Sequence, residues 1–289
     1  MSEYHRSVLV REVLELLPTR RGGTYVDATF GGGGHTEAIL QADPECKVIA
    51  CDWDENALRL NGDQLVEKYG NRLKLVWSNF ARIQHQLKKC GILQVDGILA
   101  DFGTSQYQIK QQPGFSFDVP SPLDMRMSKG HFYATAADIV NRYSEKDLIA
   151  LLYEYGEERN APRIVREIIA SRPITMSTQL AEIIARVVPR GESRIHPATK
   201  TFQALRIVVN KELENIHALL LQAGRVIRPG GRLVCISFHS LEDRMVKHYF
   251  MDHRHEWEVI TKHIVTASEE ELLNNSSSRS AKLRCAQRR

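Results

Sequence analysis

The chain has 289 residues, 43 % of them hydrophobic and 26 % charged, with a formal net charge of +4. That length supports a sizeable core in one large domain or two modest ones, and no apolar run approaches a membrane span. The opening segment MSEYHRSVLVREVLELL interleaves charges with apolar positions unlike a signal peptide, so a soluble, cytoplasmic protein is expected.

The first apolar run, GTYVDATF (23–30), reads as a strand and leads through four glycines into the helical segment HTEAIL. CKVIACDW (46–53), LKLVWSNF (73–80) and VDGILADFG (95–103) read as three further strands, with helical spacing between them. This alternation predicts an α/β fold with a doubly wound parallel sheet and helices on both faces. After Gly103 it stops. A stretch rich in Pro, Gly, Ser and Gln leads into SEKDLIALLYEYG, with a capping pattern at Ser144 and Asp147, and then into two short amphipathic helices ended by proline. An all-helical insertion is therefore expected over 108–203, within a sheet domain formed by 1–107 and 204–289. Residues 196–227 read as one long helix whose apolar face is Phe202, Leu205, Val209, Leu213, Ile216 and Leu220. GGRLVCISFHS follows as a fifth strand, then a helix capped by Ser240, and EWEVITKHIV and SAKLRCAQR read as a strand pair. The five cysteines form no Cys-x-x-Cys pair and have no histidine at metal spacing, so free thiols and no metal site are expected.

Four successive glycines between a strand and a helix supply bare amides and a helix N-terminus suited to an anionic group. Asp52 ends the second strand about 20 residues on, the spacing at which an acid accepts hydrogen bonds from ribose hydroxyls. A bound nucleoside is expected, and two ligand classes share the layout: dinucleotides and S-adenosylmethionine. Gly31-x-Gly33 is followed three residues later by Thr36 rather than Gly or Ala, a poor dinucleotide fingerprint. S-adenosylmethionine offers a carboxylate to the same amides, an ammonium to Asp27 and an adenine to Phe80. The plainer alternatives are a tight turn, strand-end caps and a core aromatic.

Asp101 ends the fourth strand, on the edge where open α/β sheets bind substrates, and is a candidate to accept a hydrogen bond from an exocyclic amine. His239 and Phe238, after the fifth strand, are candidates to contact a target base by hydrogen bonding and stacking. Phe115, Phe117 and Arg126 on the long loop, with Arg194, His196, Lys200 and Arg206, combine aromatic and cationic groups as single-stranded RNA recognition requires. The basic tail SRSAKLRCAQRR suits a polyanion as well. Solvated helix faces and a packed lid are the plainer explanations.

With these residues in view, the chain resembles the RsmH (MraW) methyltransferases along nearly its whole length. The resemblance rests, in order, on HRSVLV, DATFGGGGHT, ILADFGTSQYQ, GFSFDVPSPLDMRM, DIVNRYSEKDLIALLYEYGEER, RIHPATKTFQALRIVVNKEL, ISFHSLEDRMVK and RSAKLR. It implies a class I S-adenosylmethionine-dependent methyltransferase fold and methylation of cytosine N4 in the decoding region of bacterial 16S rRNA, within a small ribosomal subunit or late precursor. It carries cofactor contacts over to Gly33, Gly34, His35, Asp52, Phe80, Asp101 and Gln108, and leaves the general base open. The chain departs from the family pattern at Phe102, Thr104 and Gln106, where Leu, Val and Ser are usual, at Ser7, and in TASEEELLNNSSSRS, expected to be a surface loop. Two other functions stay in play: a non-catalytic, RNA-binding ribosome-assembly factor, and an NAD-dependent oxidoreductase.

Overall fold

The structure is a computed structural model describing residues 7–103, 112–130, 134–188 and 196–289. The chain divides into two compact units, one formed by Met1–Ser105 with Leu213–Arg289 and the other by Gln106–Glu212.

The first unit is built on seven strands: β1 (Thr24–Asp27), β2 (Lys47–Asp52), β3 (Leu73–Trp77), β4 (Val95–Asp101), β5 (Ile227–Ser237), β6 (Trp257–Val259) and β7 (Lys282–Arg288). Their order in the sheet is β3-β2-β1-β4-β5-β7-β6. The first five run parallel, and β7 lies antiparallel between β5 and β6. β2 and β4 are buried almost throughout, as strands covered on both faces must be. One face packs Ile49, Cys51 and Ile98 against α4 (Ile83–Lys89), α10 (Glu212–Val226) and α11 (Ser240–Asp252). The other packs Val48, Ala50 and Leu99 against α1 (Val10–Leu16), α2 (Gly34–Ala42) and α3 (Glu55–Tyr69). Alternate residues of β2 thus serve opposite cores, as the pleat dictates.

The second unit contains α5 (Ala136–Arg142), α6 (Glu145–Gly156), α7 (Ala161–Ala170), α8 (Ser177–Val187) and α9 (Thr199–Asn210) around its own apolar cluster. Ser144 caps α6 by accepting the Asp147 amide hydrogen, and Leu148, Leu151 and Leu152 are buried beneath it.

Three local expectations are corrected. Residues 196–227 form two helices, because Lys211 adopts a left-handed conformation (φ 50°) and donates its N–H to the carbonyls of Ile207 and Val208. The apolar stripe runs on through this break, so periodicity alone conceals it: Phe202, Leu205 and Val209 join the helical core, Ile216 and Leu220 the sheet core. The cap of α11 is His239 rather than Ser240, with Glu242 as the reciprocating acid of the capping box. The segment expected as a surface loop contains α12 (Glu269–Asn274), capped by Ser268, and Glu271 accepts the Leu9 amide hydrogen at 2.8 Å. All five cysteines are free thiols. Among the described residues, no helix is long and apolar enough to cross a membrane.

Candidate active site

β1, β2 and β4 each end in an aspartate, so the parallel register collects Asp27, Asp52 and Asp101 at one edge of the sheet. The glycine loop crosses this edge. Gly31 and Gly33 have φ of 51° and 79°, in the region where a Cβ is penalised. A Cβ on Gly33 would also lie 2.6 Å from Leu65, and one on Gly34 2.5 Å from Ser7 Oγ, so the protein's own packing accounts for those two glycines. At Gly31 the nearest atom to such a Cβ is 3.9 Å away, so the space beside its Cα is open although its N–H donates to Asp52 and its carbonyl accepts from Asn61.

Asp52 holds the loop in place. Its Oδ2 accepts the Gly31 N–H at 2.8 Å and its Oδ1 the Asp54 N–H at 2.9 Å. Burial nevertheless pushes its carboxyl up to about 7, because two amide donors do not replace the water it has lost. Each oxygen keeps a second lone pair, so further donors can be accepted. Asp27 is fully buried, accepting the Thr36 hydroxyl at 2.7 Å and the Thr29 amide at 3.1 Å, and burial raises its pKa. His35 is buried beside it, and burial lowers its pKa. The neutral imidazole donates from Nε2 to the Val8 carbonyl at 2.8 Å, which leaves the lone pair of Nδ1 3.8 Å from Asp101 Oδ2.

Asp101 combines burial with an incomplete hydrogen-bond set. Its backbone N–H donates to Thr29 Oγ1 at 2.7 Å, but its Oδ1 is buried without a partner. Burial raises its carboxyl well above the ordinary value, reinforced by the charges of Asp27 and Glu242. Phe80 opens a short 3-10 turn capped by Asn79, and its ring centroid lies 6.0 Å from both Trp53 and Phe102. Pairing of Asp101 with Ile236 brings the end of β5 beside the end of β4, as expected, and Phe238 lies alongside Gly103.

Other expected site residues are engaged elsewhere. The His239 ring accepts the Glu242 amide hydrogen and lies 3.2 Å from the Glu242 carboxylate, so helix capping explains a residue that the sequence left without a structural role. In the second unit, Phe117 stacks on His196 at 4.5 Å and meets Phe202 edge-on at 5.3 Å, and the His196 ring accepts the Ala198 amide hydrogen. Arg126 forms a bidentate pair with Asp124 at 2.6 and 2.9 Å, and Arg206 one with Glu212 at 2.8 and 3.0 Å. Lys200 donates to the Glu157 carbonyl, and Phe115 is half-buried. In the basic tail, Arg284 pairs bidentately with Asp243, while Arg288 donates to the carbonyls of Gly224 and Glu256. Gln108 and Arg194, with Thr104 and Gln106, lie outside the described residues.

Four supporting residues carried no sequence signal of their own. Thr29 and Thr36 orient Asp101 and Asp27, Asn61 donates to the Gly31 carbonyl at 3.2 Å, and the buried Glu242 accepts the Phe238 amide hydrogen at 2.8 Å. Only the threonines, two residues past one strand-end acid and two into the helix after the glycines, occupy positions a motif could have marked.

A parallel sheet with its last strand inserted antiparallel, and acids gathered round a glycine loop at its carboxyl edge, define a class I methyltransferase. The sequence matches the MraW methylase family over residues 2–289, and the chain belongs to that family. It is 47 % identical over 285 residues to a relative from Cyanothece sp., covering 98 % of this chain and 94 % of that protein. It is also 47 % identical over 292 residues to one from Desulfotalea psychrophila (98 % of each), and 44 % identical over 306 residues to one from Carboxydothermus hydrogenoformans (98 % and 97 %). All three relatives bear the name Ribosomal RNA small subunit methyltransferase H.

Proposed function

We propose that this protein transfers a methyl group from S-adenosylmethionine to the N4 amine of a cytosine in the decoding region of 16S rRNA, acting in the cytoplasm on a small ribosomal subunit or late precursor. Family membership across the chain supports ribosomal RNA methylation with this donor. The observation that carries the assignment to this edge of the sheet is the pairing of open space beside the Gly31 Cα with a buried, unpartnered acceptor at Asp101 Oδ1. Together they leave room for a ligand that brings hydrogen-bond donors. When bound, S-adenosylmethionine supplies a sulfonium methyl group that a nucleophile displaces directly.

The residues divide the remaining work. Asp52 takes the ribose hydroxyls on its free lone pairs, the amides of Gly34 and His35 face the methionine end beside Gly33, whose own N–H donates to the Phe30 carbonyl, and Phe80 covers the adenine. Gln108 joins these contacts by its place in the motif. Asp101 stands where donor and acceptor meet. An amine on a pyrimidine is a poor nucleophile because its lone pair is delocalised into the ring. A carboxylate of raised proton affinity that accepts its N–H draws the nitrogen toward a pyramidal, reactive geometry. His239, whose ring also caps the helix after β5, contacts the target base by hydrogen bonding and Phe238 stacks on it.

Small subunits from a strain lacking this protein, incubated with labelled S-adenosylmethionine and the purified enzyme, should gain label at one decoding-region cytosine, located by mapping the modified nucleotide. Label on another base or on ring carbon overturns the N4 assignment. Binding to subunits without any incorporation would identify a non-catalytic assembly factor.

A further inference from the structure

The cations expected to meet RNA in the helical unit are largely committed, Arg126 to Asp124 and Arg206 to Glu212. A different set is free. Arg159, just before the cap of α7, and Arg163 and Arg166 within it are all exposed, and among the described residues none lies within salt-bridge distance of an acid. Arg163 and Arg166, three residues apart, share a face, while Ala161, Ile164, Val165 and Ile168 bury the opposite one. The stripe therefore points to solvent.

Its position on the helix matters more than its charge. The start of an α-helix carries partial positive charge and favours acids; α7 has no acid in its first turn, and instead places Arg163 there and Arg159 immediately before it. Glu158, the nearest acid, spends its carboxylate on the backbone and side-chain amides of Asn160. A sequence shaped by stability alone would reverse these charges, and a local conflict of this kind marks a surface selected for something else.

Resting on the function proposed above, we propose that Arg159, Arg163 and Arg166 form a phosphate-tracking stripe that holds the backbone of the substrate RNA. Guanidinium groups free of internal partners, beside a helix N-terminus, complement a run of phosphates. The stripe binds without reading sequence; it sets affinity and leaves the chemistry to the sheet unit.

The test replaces all three arginines with glutamine in the full chain and compares the variant with a three-lysine version. Each lost phosphate contact lowers the salt slope by about 0.7–0.9. For undermethylated small subunits, the glutamine variant should therefore raise KM about tenfold at physiological salt and flatten the plot of log KM against log salt by about 2–3. Its kcat should stay within about twofold, its affinity for S-adenosylmethionine should not change, and the lysine version should recover most of the KM. Filter binding of protein-free 16S rRNA should weaken in parallel. Unchanged KM and salt slope overturn the stripe. A response seen with subunits but not with naked RNA also overturns it, assigning the arginines to an acidic ribosomal protein. Should the wild-type enzyme transfer no methyl group, the filter-binding arm still decides the stripe, so the two failures are distinguishable.

Discussion

Three aspartates at strand ends do different things because their hydrogen-bond sets differ. Asp52 is satisfied by two amides, yet burial still raises it from 3.8 to about 7. The folded chain therefore binds a proton there more tightly than the unfolded chain. The contribution of Asp52 to stability should fall as pH rises from about 4 to about 7, by on the order of 4 kcal/mol. For the donor the sign is opposite, since ribose hydroxyls are accepted best by the carboxylate. Affinity for S-adenosylmethionine should weaken as pH drops below about 7, and Asp52→Asn should weaken it about 10–100-fold at pH 8 while flattening the pH dependence of stability. Calorimetric titration and urea unfolding across pH check both; equal affinity in the variant contradicts the ribose contact. Asp101 presents the other extreme, a buried oxygen with no donor. At a pH high enough to ionise Asp101, Asp101→Asn should raise the melting temperature by a few degrees, since it removes a buried charge without a donor, while methyl transfer drops at least about a hundredfold. A lower melting temperature would show the charge to be satisfied. The acids were legible because each ends an apolar run. The commitments of Arg126, Arg206 and His239 were not, because they depend on which side chains a loop or a cap brings within reach, and no periodicity records that.

At the level of elements, the last strand forms where the sequence expected one, but its cations are less available than the basic composition of the tail suggested. Five cations without an acid suggested a grip on RNA, and the alternation of Leu283 and Cys285 with polar residues suggested a strand; the second property governs. β7 lies within the sheet, Leu283, Cys285 and Ala286 are buried, and Arg284 is clamped to Asp243 with side chains 13 % and 16 % exposed. Arg284→Ala should therefore cost about 2 kcal/mol in urea unfolding, by leaving Asp243 unpaired and partly buried, with little change in RNA affinity. The reverse outcome would restore the RNA-gripping role. The strand-helix alternation up to Gly103 was readable because buried strands and amphipathic helices have different periods. The break at Lys211 was not, since neither glycine nor proline marks it and one unbroken stripe serves two cores.

On the scale of the whole chain, the two units have separate apolar clusters, and the sequence marked the change between them by the end of the alternation after Gly103 and its resumption in β5. What composition hid was how the mild excess of positive charge is distributed: several cations are consumed inside the fold, while Arg159, Arg163 and Arg166 are left exposed at the start of one helix. The pairing of β4 with β5 carries a further consequence. These neighbours at the centre of the sheet are separated in the chain by the entire helical unit, so their registration is a closure over a very long loop. The entropy of such a closure grows only slowly with length, but the search for it is slow, and contacts close in sequence form first. Helices held by contacts close in sequence are expected to form before this pairing, so the inserted unit should act as an assembly aid for the sheet unit. A lesion in its interior, at Ile164 for instance, would delay maturation of a sheet to which it contributes no strand.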